Sequence, residues 1–169
     1  RTRSVEIGET NVPTPTRAGA SGDVQTISVI GCGAVSMVHH IPSLIGHPCF
    51  EITGLVDNDR DAIDLACLQF DLSPSMRLDL DQVRSSAAIV AVPPRFHADV
   101  VIPLLKRGIH VLCEKPMASR VADARKMASA ASESQGLLVI GFQKRFTPST
   151  RLMKQALAAM NLLLPLLLA

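Results

Sequence analysis

Two glycines separated by one residue follow a short apolar run and are suited to hold the phosphates of a nucleotide. Gly31 and Gly33 come directly after the β-branched segment 26–30, and a segment with helical spacing follows them. A tight turn of this kind lets the backbone approach a pyrophosphate, which binds the N–H groups at the start of the helix. Ser36 takes the third position of the G-x-G-x-x-G/A pattern and is still small enough for close packing. An ordinary tight turn is the alternative. The predicted phosphate-binding residues are Gly31, Cys32, Gly33, Ala34 and Val35.

A second nucleotide-binding group follows the next apolar segment, 50–56. Asp57 lies about 20 residues beyond the glycine turn, where an acid accepts hydrogen bonds from the hydroxyls of an adenosine ribose. The same acid would repel a 2′-phosphate, so the pattern favours NAD over NADP, with Asn58 as a further contact. Arg60 lies close enough to leave NADP open. The alternative is that residues 57–59 form a turn and a helix cap, and both roles are compatible.

The elements that must position these groups alternate between strand and helix along the chain. Short apolar runs predict strands, and segments of helical periodicity between them predict helices. The predicted strands are 25–30, 50–56, 87–92, 110–113 and 137–140; the predicted helices are 35–45, 59–70, 96–107, 119–135 and 149–160. Pro42 must kink or divide the first helix. This alternation predicts an α/β fold with a doubly wound parallel sheet.

Composition limits the classes of partner. The chain has 169 residues, 47% hydrophobic and 19% charged, with a net charge of +2 and scattered Lys and Arg, which argues against nucleic acid. Its four cysteines show no metal-ligand spacing, so we expect free thiols, no metal and a cytoplasmic, reducing location. No secretory signal opens the chain. Residues 1–23, rich in Thr, Pro, Gly and Ser, are predicted to be a disordered leader before a domain spanning 24–148.

Four groups of residues occur in a fixed order and together resemble one family. They are Gly31-Cys32-Gly33 followed by His39; Pro93-Pro94 with His97; the stretch 108–118, which contains Glu114-Lys115-Pro116; and the stretch 141–146 with Pro148. Over roughly residues 26–148 the chain resembles the glucose–fructose oxidoreductase/inositol dehydrogenase family (Gfo/Idh/MocA). That resemblance implies a Rossmann domain that binds NAD or NADP, in an enzyme that oxidises or reduces sugars, cyclitols and related polyols.

The resemblance also implies roles for individual residues. Lys115 matches a lysine near the nicotinamide and a substrate hydroxyl, where an ammonium would stabilise negative charge during hydride transfer. Glu114 would orient it. Pro93 and His97 match the segment that lines the nicotinamide side of the cleft; alternatively, His97 is a structural residue that donates to a loop carbonyl. Arg145 matches an arginine that faces the cleft, and a surface salt bridge explains it nearly as well.

The last residues depart from the family pattern. Family members carry a second, substrate-binding domain after the Rossmann domain, and no candidate for its strands follows residue 148 here. We expect a truncated chain in which residues 149–169 form a helix and an atypical leucine-rich tail, with little activity alone. The tail's leucines favour self-association or cover apolar surface; a membrane anchor needs about 20 apolar residues and is less plausible. The competing hypothesis is a non-catalytic dinucleotide-binding module, either a degenerate remnant or a sensing partner.

Overall fold

Five parallel strands form one sheet in the computed structural model, which describes residues 24–159. The strands are β1 (Gln25–Ile30), β2 (Phe50–Val56), β3 (Ala87–Val90), β4 (His110–Cys113) and β5 (Leu138–Ile140). Their spatial order is β2-β1-β3-β4-β5, and every pairing is parallel. The chain therefore winds outward from β1 in both directions, and the predicted α/β doubly wound sheet is confirmed.

A helix follows each strand along the chain. The helices are α1 (Ile41–Ile45), α2 (Arg60–Phe70), α3 (His97–Lys106), α4 (Val121–Glu133) and α5 (Pro148–Ala159). Short 3₁₀ turns lie at Pro74–Met76, Leu80–Gln82, Pro94–Phe96 and Gln143–Phe146. Parallel strands need crossover connections of this length, because a tight turn can only join antiparallel neighbours.

Apolar side chains from the central strands point alternately to the two faces of the sheet, because successive Cβ atoms in a strand alternate. Ile30 and Val90 pack with α3 and α4 in one core, whereas Val29 and Ile89 pack with α1 and α2 in the other. All four side chains are buried. Burial on both faces explains why β1 and β3 are nearly continuous apolar runs.

The helix after the glycine turn is divided, as Pro42 predicts. Ser36–His40 forms a π-helical turn that leads into α1, and the N–H of Ile41 bonds to the carbonyl of Ser36. Pro42 occupies the first turn of α1, the position where its missing N–H costs least. A π-turn holds one residue more than an α-helical turn, so it changes which side chain faces the sheet.

Several predicted boundaries were wrong: α4 spans Val121–Glu133 and not 119–135, and β5 begins at Leu138 and not at residue 137. β3 ends at Val90 and not at residue 92, because the chain turns at Ala91 to pass against the backbone of Gly31. α3 is shorter than 96–107 at both ends, since Pro94–Phe96 forms a 3₁₀ turn and Arg107 is the C-cap. The predicted leader (1–23) and residues 160–169 of the predicted tail lie outside the described residues. Between residues 24 and 159, no helix is long and apolar enough to cross a membrane.

Candidate dinucleotide-binding site

The glycine turn is built at the carboxyl end of β1, and its two glycines serve different purposes. Gly31 has a φ of 94°, in the region that L side chains rarely adopt, and a Cβ there would lie 2.7 Å from the carbonyl carbon of Ala91. Gly33 has no other atom within 4 Å of a Cβ built on it. Gly31 is therefore required by the fold, whereas Gly33 leaves open space beside the turn for a ligand.

Ser36, the departure from the third-glycine pattern, makes a specific contact with the turn. Its side chain is fully buried, and its hydroxyl donates a 2.5 Å hydrogen bond to the carbonyl of Gly31. Because a buried hydroxyl is costly without a partner, this bond both satisfies Ser36 and braces the turn. Serine thus fits the packing that the motif requires and adds a contact that glycine or alanine lacks.

Asp57 lies at the end of β2 and is held by two backbone donors. Its Oδ2 accepts a 2.7 Å hydrogen bond from the N–H of Cys32, and its Oδ1 accepts one of 2.9 Å from the N–H of Asp59. The helix cap is Asp59, whose Oδ1 accepts from the N–H of Asp61 at 3.0 Å. The carboxylate of Asp57 keeps further acceptor capacity, so it is able to accept ribose hydroxyls as well.

A cleft of about 720 Å³ opens at the carboxyl ends of β1, β2 and β3. It lies where β1 stands between β2 and β3, the point of the sheet at which connections run in opposite directions. Ligands of open α/β sheets bind at such a switch point. The predicted residues that line it are Gly31, Gly33, Asp57, Asn58 and Pro93. The cleft, the open space at Gly33 and the fixed carboxylate fit a dinucleotide.

Other predicted contacts lie elsewhere. Ala34 and Val35 are exposed and do not line the cleft. Cys32 is buried and meets the site through its backbone N–H. Burial, followed by the charge of Asp57, raises the pKa of the Cys32 thiol to about 12, so the thiol stays neutral beside the turn.

His97 is fully buried at the start of α3. Its Nε2 lies 2.9 Å from the carbonyl oxygen of Val92, and its Nδ1 lies 3.1 Å from that of Met117. This is the structural role that we gave as the alternative, because the imidazole joins two loops and does not line the cleft. It acts on the site by holding the segment that carries Pro93.

Glu114 is held between two partners at the end of β4. Its Oε1 lies 3.0 Å from Nε2 of His40, and its Oε2 accepts a 3.1 Å hydrogen bond from the N–H of Lys115. Both side chains of the His40–Glu114 pair are largely buried. The sequence pattern emphasised His39, which is exposed; the π-turn instead directs His40 to the sheet. The sequence could have predicted the role of His40 only if the π-turn, with its one additional residue, had been recognised.

Lys115 emerges next to Glu114 and is joined to Pro116 by a cis peptide bond. Its side chain is exposed and makes no hydrogen bond or ion pair with any residue of the range 24–159. It lines a second cavity, of about 450 Å³, and the other lining residues are 142–145, the last of which is Arg145. The structure describes no ion pair for Arg145 within residues 24–159, so the surface salt bridge we considered is not found there.

A glycine turn, a fixed acid and a switch-point cleft in a doubly wound sheet define a Rossmann-type dinucleotide-binding domain. A family model described as an oxidoreductase family with an NAD-binding Rossmann fold matches residues 26–142. The chain therefore belongs to the Gfo/Idh/MocA oxidoreductase family, and its predicted resemblance to that family is confirmed.

Individual relatives agree with this membership. The chain is 35% identical over 150 residues to an inositol 2-dehydrogenase of Rubrobacter xylanophilus, a match that covers 82% of this chain and 41% of the relative. The WlbA dehydrogenase from Bordetella pertussis, solved in complex with NADH and UDP-GlcNAcA, superposes with a TM-score of 0.74 and 26% identity, over 81% of this chain and 40% of that one.

A 3-ketoreductase from Actinomadura kijaniata, solved with TDP-benzene and NADP, has a TM-score of 0.70 at 23% identity and covers 81% of this chain and 44% of that one, which shows the shared fold alone. The chain thus spans well under half the length of these relatives.

Proposed function

We propose that this chain binds NAD in preference to NADP and forms the cofactor site of an oxidoreductase that acts on a sugar, cyclitol or related polyol. One observation carries the proposal: Asp57 is fixed by the N–H of Cys32 at the edge of the cleft that the glycine turn borders. A carboxylate fixed there accepts hydrogen bonds from ribose hydroxyls and repels a 2′-phosphate. The inositol dehydrogenase among the relatives supports the class of substrate.

The residues of this chain bind and orient, while the hydride chemistry belongs to the nicotinamide ring. The turn at Gly31 and Gly33 offers backbone N–H groups to a pyrophosphate. Lys115 supplies a positive charge that stabilises a substrate oxygen as negative charge develops on it. Glu114, fixed by His40, accepts a hydrogen bond from the backbone N–H of Lys115 and so fixes the backbone from which the Lys115 side chain extends.

The cofactor part of the proposal is tested by titrating the full chain with NADH and with NADPH while nicotinamide fluorescence is followed. We expect NADH to bind at least about tenfold more tightly, a difference of about 1.4 kcal/mol. Equal affinities would contradict the assignment of Asp57, and failure of both cofactors to bind would refute the proposed site.

The catalytic part is tested by screening for NAD reduction with inositols and hexoses, for the wild-type chain and for Lys115→Met. Any turnover should disappear in the variant while NADH binding persists, because Lys115 makes no contact that the fold needs. Turnover that survives the substitution would exclude Lys115 as a catalytic residue. Because we expect little activity from this chain alone, cofactor binding without turnover would be consistent with both the oxidoreductase and the non-catalytic module, whereas turnover would exclude the non-catalytic module.

A further inference from the structure

His40 belongs to the helical segment that follows the glycine turn, yet its side chain contacts the end of a different strand. The segment is tied to the turn by the N–H of Met37, which bonds to the carbonyl of Gly33 at 3.0 Å. At the end of the π-turn, Nε2 of His40 lies 3.0 Å from Oε1 of Glu114, the first residue after β4. This contact joins the glycine turn to the end of β4.

Three groups surround the carboxylate of Glu114. His40 contacts Oε1, the N–H of Lys115 donates to Oε2 at 3.1 Å, and a Cβ built on Gly141 would lie 3.5 Å from the carboxyl carbon. An ionised carboxylate accepts but does not donate, so the imidazole of His40 donates through Nε2. The side chains of His40 and Glu114 are only 15% and 13% exposed, and a hydrogen bond shielded from water in this way is stronger than one at the surface.

The end of β4 and Asp57 lie on opposite sides of the glycine turn. In the sheet, β2 is on one side of β1 and β3 and β4 are on the other, with neighbouring strands about 4.8 Å apart. A dinucleotide with its adenosine ribose on Asp57 and its pyrophosphate on the turn therefore extends its nicotinamide half toward β3 and β4. Glu114 lies on that side and is followed by Lys115, the proposed charge beside the reacting oxygen.

The His40–Glu114 pair lies behind the ligand space and not in it. Within residues 24–159, the residues that line the dinucleotide cleft and the second cavity include neither His40 nor Glu114. Lys115 does line the second cavity, and its backbone N–H is bonded to Glu114. An effect of His40 on a ligand must therefore pass through Glu114 and the backbone of Lys115.

We propose that His40 is a positioning residue for the nicotinamide half of the cofactor. It fixes Glu114, and Glu114 fixes the backbone at Lys115, so the helical segment that binds the pyrophosphate also orders the far end of the site. The inference rests on the proposed function and adds to it a residue that touches neither cofactor nor substrate. A purely structural contact would behave differently, because its loss would disturb the glycine turn and weaken both halves of the cofactor alike.

The test compares NADH with ADP-ribose, which contains the adenosine, the pyrophosphate and a second ribose but lacks the nicotinamide. Both ligands are titrated calorimetrically into the full chain. We expect His40→Ala to weaken NADH binding about tenfold and to change ADP-ribose binding by less than about twofold. The ratio of the two dissociation constants is the readout, and ADP-ribose binding also shows that the variant is folded.

Three further variants separate positioning from a general loss of stability. His40→Gln keeps a donor for Glu114 and should recover part of the wild-type ratio. His39→Ala, at the exposed neighbouring position, is the matched control and should keep that ratio. In the double variant His40→Ala/Glu114→Ala, the loss of His40 should add nothing to the effect of Glu114→Ala alone, because the two residues act as one unit.

Equal weakening of NADH and ADP-ribose in His40→Ala overturns the inference, since it indicates a structural role only. An unchanged ratio in that variant, or a full additional loss in the double variant, overturns it as well. The same holds if wild type binds NADH no more tightly than ADP-ribose, because the nicotinamide half then contributes nothing that His40 could order. Failure of wild type to bind either ligand is a separate result, which refutes the proposed function and with it this inference.

Discussion

The carboxylate of Asp57 accepts a 2.7 Å hydrogen bond from the backbone N–H of Cys32, which lies 25 residues earlier in the chain. This bond joins the end of β2 to the glycine turn at the end of β1. The group that would bind the ribose and the turn that would bind the pyrophosphate are therefore parts of one rigid arrangement. Such preorganisation lowers the conformational entropy that the protein must lose when a ligand binds.

Replacing Asp57 with asparagine separates the charge from the contact. Asp57→Asn keeps one oxygen for the N–H of Cys32, gives up the hydrogen bond from the N–H of Asp59, and removes the negative charge that repels a 2′-phosphate. We expect NADH to bind about tenfold more weakly, because hydrogen bonds to charged acceptors contribute about 1.5–3 kcal/mol. NADPH should lose much less affinity, so the ratio of the two dissociation constants falls. A ratio identical to that of wild type would contradict the ribose role.

The two glycines of the turn should respond differently to alanine. Gly33→Ala meets no neighbouring atom and should leave the unfolding temperature unchanged while weakening NADH binding at least about tenfold, because the methyl group occupies the ligand's space. Gly31→Ala forces a Cβ onto the backbone of Ala91 and should cost at least about 2 kcal/mol of stability. Thermal unfolding and NADH fluorescence, measured on both variants, check the contrast. Unaltered NADH affinity in Gly33→Ala would place the pyrophosphate elsewhere.

The two adjacent histidines offer a matched comparison. His40→Ala removes the partner of a largely buried carboxylate and should lower the free energy of unfolding by about 1.5–3 kcal/mol in urea titrations. His39→Ala, at an exposed position, should stay within about 0.5 kcal/mol of wild type. His40→Gln keeps a donor for Glu114 and should recover part of the loss. Equal effects of the two alanine substitutions would argue against the His40–Glu114 contact.

Two buried thiols, those of Cys32 and Cys113, should make the free energy of unfolding fall at alkaline pH. Burial, with a smaller contribution from Glu114, raises the pKa of the Cys113 thiol from its usual 9.0 to about 12. The pKa of the Cys32 thiol is also raised to about 12. The unfolded chain therefore loses these protons first. Their contribution is complete below pH 9.0 and is lost as pH rises toward 12.

Urea unfolding at pH 8 and at pH 10.5 tests this linkage. Cys113→Ala should show a smaller drop in the free energy of unfolding between the two pH values than wild type shows, because one of the linked protons is absent. Cys49→Ala, at an exposed position, is the control and should keep the dependence of wild type. An identical drop in Cys113→Ala and wild type would contradict the linkage.

The sheet was predictable because its strands are local patterns. β1, β2 and β4 have the predicted bounds, since a short apolar run can be recognised from the sequence of the strand itself. β3 was predicted two residues too long, because its last apolar residues leave the sheet to cross Gly31. That crossing depends on a distant segment, which no local pattern contains.

The candidate site was predictable only in part, and for the same reason. The glycine turn and Asp57 follow from spacing along the chain, and they line one cleft. The pairing of His40 with Glu114 joins residues 74 positions apart. The second cavity likewise brings Lys115 together with residues 142–145, which follow two different strands. Such contacts arise only when the sheet brings the strand ends together.

The π-turn at Ser36–His40 has a consequence for how this segment can change over evolution. Because such a turn holds one residue more than an α-helical turn, deletion of one residue from it would change which side chain faces Glu114. An ungapped alignment of this segment with a plain α-helix would therefore compare side chains that occupy different places.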